Sequence, residues 1–282
     1  MITGKTKTLG ILGCPVGHSL SPLMHNAAFA ALTLDYIYVP LPVEPDHLGQ
    51  AIAGLKAMGF VGMNVTIPHK VTVMPYLDEI HPSAQLTGAV NTIVIKNGKC
   101  IGYNTDGQGF IQSLTAKSIT IKDKTAVIMG AGGAARAVVY GLLEYGIKKV
   151  IVGTRNVAKA QEFVKLFPKS RSKIEGCNWE TESFIQALQE CDILINCTPI
   201  GMSSNKETQL PIQWHHIKSD AAVCDLIYNP SPTDFLVQAE MRGHIIMDGK
   251  GMLVEQGALA FELWTGEKAP RKIMSETLDK FI

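Results

Sequence analysis

Three glycines follow a short apolar run in the segment Thr125–Arg136. The apolar run, Ala126–Met129, is typical of a buried parallel strand, and residues 134–143 have the composition of a helix. The glycines between them are Gly130, Gly132 and Gly133. A strand, a glycine turn and a helix start can direct backbone N–H groups at a pyrophosphate, and Ala135 is an accepted residue at the third position of this motif. A tight turn without a ligand is the alternative.

The end of the next predicted strand indicates which dinucleotide would bind. A site for NAD would carry Asp or Glu after Lys149–Gly153, where a carboxylate can bind the ribose hydroxyls. This sequence has Arg155 there and Lys159 four residues later. A guanidinium can bind a phosphate through two parallel hydrogen bonds, and the lysine adds a positive charge one helical turn away. The pattern predicts NADP, with an exposed Arg/Lys pair at a helix start as the alternative.

The first 135 residues contain no arginine, so a carboxylate bound in that half would be held by hydroxyls, amides or lysine. Ser19 and Ser21 can direct both hydroxyls toward an anionic or polyhydroxylated ligand, although N-capping alone would explain Ser21. Lys70 follows a predicted strand end, where it can exchange a proton with a hydroxyl or carbonyl oxygen while hydride moves at carbon. The alternatives are a solvated surface lysine for Lys70 and an Asx turn for Asp106.

Composition and charge exclude several classes of protein. The chain has 282 residues, which suits two domains, and a formal net charge of +1. No basic cluster repeats along a helix, so nucleic acid and anionic membranes are not expected as partners. The sequence shows no signal-peptide core and no apolar run of the roughly 20 residues that span a bilayer.

The cysteines and histidines indicate neither disulfides nor a metal site. The six cysteines form no CxxC pair and are expected to be reduced thiols of a cytoplasmic protein. No metal is expected, because His18, His25 and His69 lack the spacing of metal ligands.

Apolar runs and turn residues predict an alternation of strands and helices in both halves of the chain. In the first half, strands are predicted at 8–13, 35–39, 61–66 and 89–96. Helices are predicted over 22–32, with Ser21 as N-cap, and over 45–58, and Asn97-Gly98 is predicted to be a tight turn. In the second half, strands are predicted near 126–130, 149–153, 173–177, 192–197, 221–226 and 244–247, followed by a loop at 249–251 and a helix over 252–265. This alternation predicts an α/β fold with a parallel sheet in each of two domains.

Several of these residues lie in motifs that resemble those of the shikimate/quinate dehydrogenase family. Seven segments follow the family's order: GCPVGHSLSPLMHN (13–26), NVTIPHK (64–70), GAVNT (88–92), GYNTDG (102–107), GAGGAAR (130–136), NCTPIGM (196–202) and GKGMLVEQGA (249–258). The resemblance implies an N-terminal substrate domain of residues 1–107, completed by 250–282, and a Rossmann domain for NADP over 108–249. It also implies an active-site cleft between the two domains.

The resemblance implies an NADP-dependent enzyme that interconverts 3-dehydroshikimate and shikimate, a step toward the aromatic amino acids. Lys70 and Asp106 would be the catalytic pair, with Lys70 exchanging the proton of the substrate oxygen. The residues implied to hold the substrate carboxylate are Ser19, Ser21 and Tyr228. Those implied to bind its ring hydroxyls are Thr66, Asn91 and Gln256.

The cofactor contacts implied by the resemblance fall into three groups. Those at the pyrophosphate would be Gly130, Gly132, Gly133 and Ala134. Those at the 2′-phosphate would be Thr154, Arg155 and Lys159. Those at the ribose and nicotinamide would be Thr198, Met202, Ile227 and Gly249.

Two departures from the family pattern keep other activities open. Members that prefer NADP commonly have Asn-Arg-Thr where this chain has Thr154-Arg155-Asn156, and Tyr228-Asn229-Pro230 is a form also found in relatives that accept quinate. A quinate/shikimate dehydrogenase using NAD or NADP is therefore the first alternative. A non-catalytic ligand sensor on the same fold is the second, and the presence of Lys70 and Asp106 argues against it. The sequence also leaves open whether the protein forms a homodimer.

Overall fold

The computed structural model describes residues 2–202 and 209–282. The chain divides into two units: unit 1 contains the residues up to Gly109 together with Val254–Phe281, and unit 2 contains Phe110–Leu253.

Unit 1 is built from short strands and helices. Its strands are β1 (Lys7–Gly13), β2 (Tyr36–Pro42), β3 (Gly62–Val65), β4 (Glu79–Ile80), β5 (Thr92–Lys96) and β6 (Lys99–Tyr103). The helices that connect or follow them are α1 (Ser21–Ala31), α2 (Leu48–Ala57), α3 (His69–Thr72), α4 (Pro82–Thr87) and α5 (Asp106–Ala116).

These strands form one sheet in the order β2-β1-β3-β5-β6-β4. β1 runs parallel to both β2 and β3, and β4 runs parallel to β6. β5 is antiparallel to β3 and to β6, so the sheet is mixed where the sequence predicted a parallel one. The turn between β5 and β6 reverses the chain, because Asn97 and Gly98 both have positive φ angles, of 52° and 72°, as in a two-residue hairpin.

Unit 2 alternates strand and helix regularly. Its strands are β7 (Thr125–Met129), β8 (Lys149–Thr154), β9 (Ile174–Asn178), β10 (Ile193–Asn196), β11 (Ala222–Asp225) and β12 (Ile245–Met247). Its helices are α6 (Gly133–Glu144), α7 (Val157–Lys165), α8 (Glu182–Glu190) and α9 (Asp234–Glu240). The chain continues with α10 (Gly249–Thr265) and α11 (Arg271–Leu278), and it passes from one unit to the other within α5 and α10.

The sheet of unit 2 has the strand order β12-β11-β10-β7-β8-β9, and each neighbouring pair is parallel. This is the order of a Rossmann sheet, in which the direction of winding reverses between the first and fourth strands, here β7 and β10. Ligands of such sheets bind beyond the carboxyl ends of the strands at that point. The predicted α/β fold with a Rossmann sheet is confirmed.

The side chains of β7 alternate between two cores, one on each face of this sheet. Ala126 and Ile128 pack into one cluster of buried side chains, and Val127 and Met129 pack into the other. A strand buried on both faces needs apolar residues at successive positions, which is why the continuous run of residues 126–129 identified it.

Two local predictions are wrong. Residues 249–251 form the first turn of α10 rather than a loop, because the Asp248 carboxylate accepts a hydrogen bond from the Lys250 N–H at 3.2 Å and so caps the helix. Ser21 is the first residue of α1 and does not cap it. Its N–H instead donates to Ser19 Oγ at 3.3 Å, so Ser19 supports the helix start that the sequence assigned to Ser21.

Among the described residues, no helix is long and apolar enough to cross a membrane. The same part of the chain contains no group of three or more His, Cys, Asp or Glu side chains arranged to hold a metal ion.

His25 in α1 is fully buried in an aromatic cluster of unit 1. Its ring stacks 4.5 Å from the ring of Tyr38 and lies 5.4 Å from that of Trp264, with Phe29 and Phe261 stacked farther out. Neither ring nitrogen has a hydrogen-bond partner within residues 2–202 and 209–282. Burial lowers the pKa of His25 to about 3, so the imidazole is neutral in the folded protein at neutral pH.

Replacing His25 with Phe should reduce the loss of stability in acid. The unfolded chain protonates this histidine below about pH 6.5, whereas the folded chain does so only near pH 3. The stability contributed by the neutral ring is therefore complete above about pH 6.5 and is lost as the pH falls toward 3. Over this range the wild type should lose about 1.4 kcal/mol per pH unit relative to His25→Phe.

Urea unfolding between about pH 7 and pH 4.5 measures this difference in the free energy of unfolding. His47→Phe, at an exposed histidine, is the matched control. A difference between wild type and His25→Phe that stays constant as the pH falls would contradict the prediction.

Candidate active site

The Lys70 ammonium and the Asp106 carboxylate form an ion pair in unit 1. Lys70 Nζ lies 2.6 Å from Asp106 Oδ2, and the side chains are 33% and 11% exposed. Lys70 lies in α3, which follows β3, and its carbonyl accepts a hydrogen bond from the Val90 N–H at 2.7 Å. Asp106 is the first residue of α5, which follows β6. Two elements thus fix the pair, and the exposed part of Lys70 can be reached by a ligand.

Asn91 binds the other oxygen of the Asp106 carboxylate. Its Nδ2 donates to Asp106 Oδ1 at 2.7 Å and to Thr105 Oγ1 at 2.9 Å, and the residue is 2% exposed. A longer contact of 3.3 Å joins the same nitrogen to Gln256 Oε1 in α10. α10 can come this close because residue 109 is glycine, where a Cβ would lie 2.6 Å from the backbone nitrogen of Gln256. The predicted residues brought together here are Lys70, Asp106, Asn91 and Gln256.

Three predicted hydroxyl groups lie beyond the carboxyl ends of the neighbouring parallel strands β1 and β3. Ser19 and Ser21 follow β1, and Thr66 follows β3. The Cys14 N–H donates to the Ile67 carbonyl at 3.1 Å, which ties the two segments together. Ser21 is 6% exposed, and the other two residues are half-buried. Uncharged donors therefore share this edge of the sheet with the ion pair.

This arrangement is suited to proton transfer at a carbon–oxygen centre. A lysine held against a carboxylate can give a proton to a ligand oxygen as the ammonium, and as the neutral amine it can take one from a ligand hydroxyl. The hydroxyls and amides around it can bind hydroxyl or carboxylate groups of the same ligand. None of these side chains can supply a hydride, so a redox reaction here needs a cofactor.

Backbone N–H groups at the start of α6 are available for the predicted pyrophosphate. Gly130 has a φ of 103°, and a Cβ there would lie 2.9 Å from the methyl of Thr198. A Cβ on Gly132 or Gly133 would meet no atom within 4 Å, and both residues are exposed. In the described structure no side chain caps α6, so its first N–H groups and the positive end of its dipole can bind an anion. Together with the exposed Ala134, this turn fits a dinucleotide pyrophosphate.

Arg155 and Lys159 lie at the start of α7, directly after β8, and both are exposed. Thr154 Oγ1 donates to the Asn156 carbonyl at 2.6 Å, and Asn156 Oδ1 accepts from the Ala158 N–H at 2.9 Å. These two side chains build the turn and cap the helix, so the Thr154 hydroxyl is engaged in the turn. Two cations at the positive end of a helix fit a phosphate group, as NADP requires.

Asp225 fixes the segments after β10 and β11, which carry Thr198 and Ile227. Its buried carboxylate accepts hydrogen bonds from Asn196 Nδ2 at 3.0 Å, the Ile227 N–H at 3.0 Å and Thr233 Oγ1 at 2.7 Å. Asn196 Oδ1 accepts from the N–H and the hydroxyl of Thr198, at 2.9 and 2.7 Å. Burial raises the pKa of Asp225 to about 6, although the three hydrogen bonds act in the opposite direction.

Asn196 and Asp225 are not among the predicted site residues, although Asn196 is the first residue of the segment NCTPIGM (196–202). Each is a polar residue at the end of an apolar strand, which is common in parallel sheets and is therefore a weak signal.

The other predicted residues of unit 2 are less tightly grouped. The Gly249 N–H donates to the Ile227 carbonyl at 3.0 Å, so these two residues meet. Met202 is 40% exposed. Tyr228 is half-buried, and burial raises the pKa of its hydroxyl. Two cavities of about 450 and 640 Å³ lie beside Trp214, and no predicted site residue lines either of them.

Family models match most of the chain. Residues 11–93 match the shikimate dehydrogenase substrate binding domain, and residues 113–208 match shikimate / quinate 5-dehydrogenase. Residues 249–278 match the shikimate 5'-dehydrogenase C-terminal domain.

Individual proteins are similar over almost the full length. The chain is 44% identical to a shikimate dehydrogenase (NADP(+)) of Desulforamulus reducens over 281 residues, which are 99% of this chain and 97% of that protein. A shikimate 5-dehydrogenase structure from Listeria monocytogenes, in complex with shikimate and NAD, gives a TM-score of 0.93 at 36% identity, covering 98% of each chain. A quinate dehydrogenase structure from Corynebacterium glutamicum, in complex with NAD, gives 0.90 at 29% identity, covering 98% of this chain and 99% of that one. With this identity, this coverage and this fold, the chain belongs to the shikimate dehydrogenase family.

Proposed function

We propose that the protein is an NADP-dependent shikimate dehydrogenase, which reduces the ketone of 3-dehydroshikimate to the hydroxyl of shikimate and catalyses the reverse reaction. The observation that carries the proposal is the ion pair of Lys70 and Asp106 beside the amides of Asn91 and Gln256. Reduction of a polyhydroxylated ketone requires a proton donor and groups that bind the ring hydroxyls. NADPH supplies the hydride when bound. The reaction serves the synthesis of aromatic amino acid precursors.

Lys70 gives its proton to the substrate oxygen as the carbonyl carbon accepts the hydride. One proton and one hydride convert C=O to CH–OH, and in the reverse reaction the lysine takes the hydroxyl proton. Asp106, 2.6 Å away, holds the ammonium in position. Since the Lys70 side chain is 33% exposed, solvent restores its proton after turnover.

Uncharged groups bind the substrate in this proposal. The groups proposed for the carboxylate are Ser19, Ser21 and Tyr228. Those proposed for the ring hydroxyls are Thr66, Asn91 and Gln256. The 3.3 Å contact between the last two is longer than the other contacts of the Asn91 amide nitrogen, so a ring hydroxyl can replace it most easily.

NADP is proposed to bind at the strand ends of unit 2. Gly130, Gly132, Gly133 and Ala134 would hold the pyrophosphate. Thr154, Arg155 and Lys159 would hold the 2′-phosphate. The residues that would hold the ribose and nicotinamide are Thr198, Met202, Ile227 and Gly249. The six cysteines are free thiols, which supports a cytoplasmic location. The homodimer stays a prediction, which sedimentation analysis would test.

A dual quinate/shikimate dehydrogenase is the second candidate. The segment Tyr228-Asn229-Pro230 and the similarity to the Corynebacterium glutamicum quinate dehydrogenase favour it. Quinate carries an added hydroxyl on the carbon that bears the carboxylate, so Ser19, Ser21 and Tyr228 would decide its acceptance.

Initial rates with shikimate or quinate, each paired with NADP+ or NAD+, test these proposals directly. We expect reduction of NADP+ with shikimate to be the fastest of the four pairings, because Arg155 and Lys159 offer charge to the 2′-phosphate. Comparable rates with quinate or NAD+ would support the dual enzyme instead. Binding without turnover in every pairing would favour a sensor.

Lys70→Ala should lower kcat by roughly 10²- to 10⁴-fold and leave the KM for shikimate nearly unchanged, because the lysine moves the proton. Steady-state kinetics measure both constants. Lys99→Ala, at a 59% exposed lysine paired with Glu79, is the matched control. An equal loss in the control would remove the catalytic role from Lys70.

Arg155→Ala should raise the KM for NADP+ by roughly 10- to 100-fold, since a charge-assisted hydrogen bond to phosphate is lost. The KM for NAD+ should change little. Lys165→Ala, at the other end of α7 and paired with Glu162, is the control for a general change in charge. Equal effects on the two cofactors would show that Arg155 does not bind the 2′-phosphate.

A further inference from the structure

Tyr38 in β2 donates a hydrogen bond inside the core of unit 1. Its hydroxyl lies 2.7 Å from Asn64 Oδ1, and the two residues are 1% and 6% exposed. The direction of this bond is fixed, because Asn64 Nδ2 donates to the Asn91 carbonyl and to Thr92 Oγ1, each at 3.1 Å. The amide oxygen of Asn64 therefore faces the tyrosine, whose hydroxyl must supply the proton.

The same chain of hydrogen bonds continues to the Asn91 side chain. Thr92 Oγ1 is fully buried and donates to Asn91 Oδ1 at 3.0 Å. The Thr105 N–H donates to the same oxygen at 2.8 Å. With its oxygen held by these donors, the Asn91 amide must turn its nitrogen toward Asp106, where it donates at 2.7 Å.

The position of the Tyr38 hydroxyl is set by packing and by the backbone. The Asn26 side chain in α1 accepts from the Tyr38 N–H at 2.9 Å and donates to its carbonyl at 2.8 Å. The Tyr38 ring packs 4.5 Å from His25 and 6.0 Å from Trp264. Burial raises the pKa of Tyr38 well above its ordinary value, with a hydrogen bond from Ser21 opposing the shift, so the hydroxyl stays protonated at neutral pH.

We propose that Tyr38, Asn64 and Thr92 form a positioning relay that orients the Asn91 amide and, through it, the Asp106 carboxylate that holds Lys70. This inference rests on the proposed function, because it assigns the relay to the proton-transfer step. Tyr38 does not touch the reacting atoms. Its hydroxyl is the donor at the far end of the chain. Without it the buried oxygen of Asn64 loses a strong partner, and the amide is held only by its two longer bonds of 3.1 Å, to the Asn91 carbonyl and to Thr92 Oγ1.

Tyr38→Phe tests the relay, because it keeps the packed ring and removes only the hydroxyl. We expect kcat for shikimate oxidation to fall about 10-fold, which corresponds to one misaligned buried hydrogen bond, while the KM for NADP+ stays unchanged. The solvent deuterium isotope effect on kcat should rise, since a misaligned Asp106 slows the proton transfer by Lys70. Loss of stability alone would not raise this isotope effect.

Tyr36→Phe is the matched control. It removes a hydroxyl two residues away in the same strand, where the partner is Lys7 Nζ at the surface. It should leave kcat and the isotope effect as in the wild type.

Thr92→Val cuts the relay closer to Asn91 and provides a second test. If both hydroxyls act through one chain, the variant that lacks both should lose no more kcat than the more impaired single variant. Additive losses, or a Tyr38→Phe variant with wild-type kcat and isotope effect, would overturn the relay. A wild type inactive with shikimate would contradict the proposed function instead, and the variants would then be measured in the pairing that turns over. Inactivity in every pairing would overturn both.

Discussion

The ion pair of Lys70 and Asp106 needs hydrogen-bond partners for its remaining polar atoms, and buried side chains of unit 1 provide them. A charged pair 2.6 Å apart and only partly exposed is stable when its remaining polar atoms also have partners. The second carboxylate oxygen binds the amide of Asn91, and the oxygen of that amide needs donors of its own. Each buried polar group thus needs another as its partner, which explains why Asn64 and Thr92 are buried in this sheet.

One edge of the sheet of unit 2 carries both open backbone donors and a buried, fully hydrogen-bonded carboxylate. No side chain caps the start of α6 in the described structure, so its first backbone N–H groups are open to an anion. Two strands away in the sheet, the Asp225 carboxylate is buried and occupied by three donors. Its hydrogen bonds hold the segments after β10 and β11 in one conformation, because a buried carboxylate cannot exchange these donors for water. The open start of α6 and the buried Asp225 carboxylate can lie at the same edge, because the carboxyl ends of parallel strands all share one edge of the sheet.

The sequence predicted the parts of the fold that depend on local pattern. The glycine turn after β7 and the position of Arg155 follow from neighbouring residues, so they could be read without a structure. The hydrogen-bond partners of individual side chains could not be predicted from the sequence. The sequence predicted Ser21 as the N-cap of α1, but the path of the backbone makes Ser21 the first helical residue and lets Ser19 Oγ accept its N–H. Residues 249–251 contain two glycines that disfavour a helix, but the cap by Asp248 outweighs that preference.

In the proposed site, the choice between shikimate and quinate depends only on the groups that bind the substrate carboxylate. A ring hydroxyl of the proposed substrate would replace the 3.3 Å contact between the Asn91 and Gln256 amides. A ligand of the same shape without that hydroxyl would separate the two groups and offer neither a partner, so it is expected to be rejected strongly. The groups proposed for the carboxylate, Ser19, Ser21 and Tyr228, are hydroxyls that can both donate and accept. Such groups can turn to accommodate an added hydroxyl, and a site rejects an added hydroxyl less well than it rejects a missing one. Discrimination between shikimate and quinate is therefore expected to be weaker than the requirement for the ring hydroxyls that the two share.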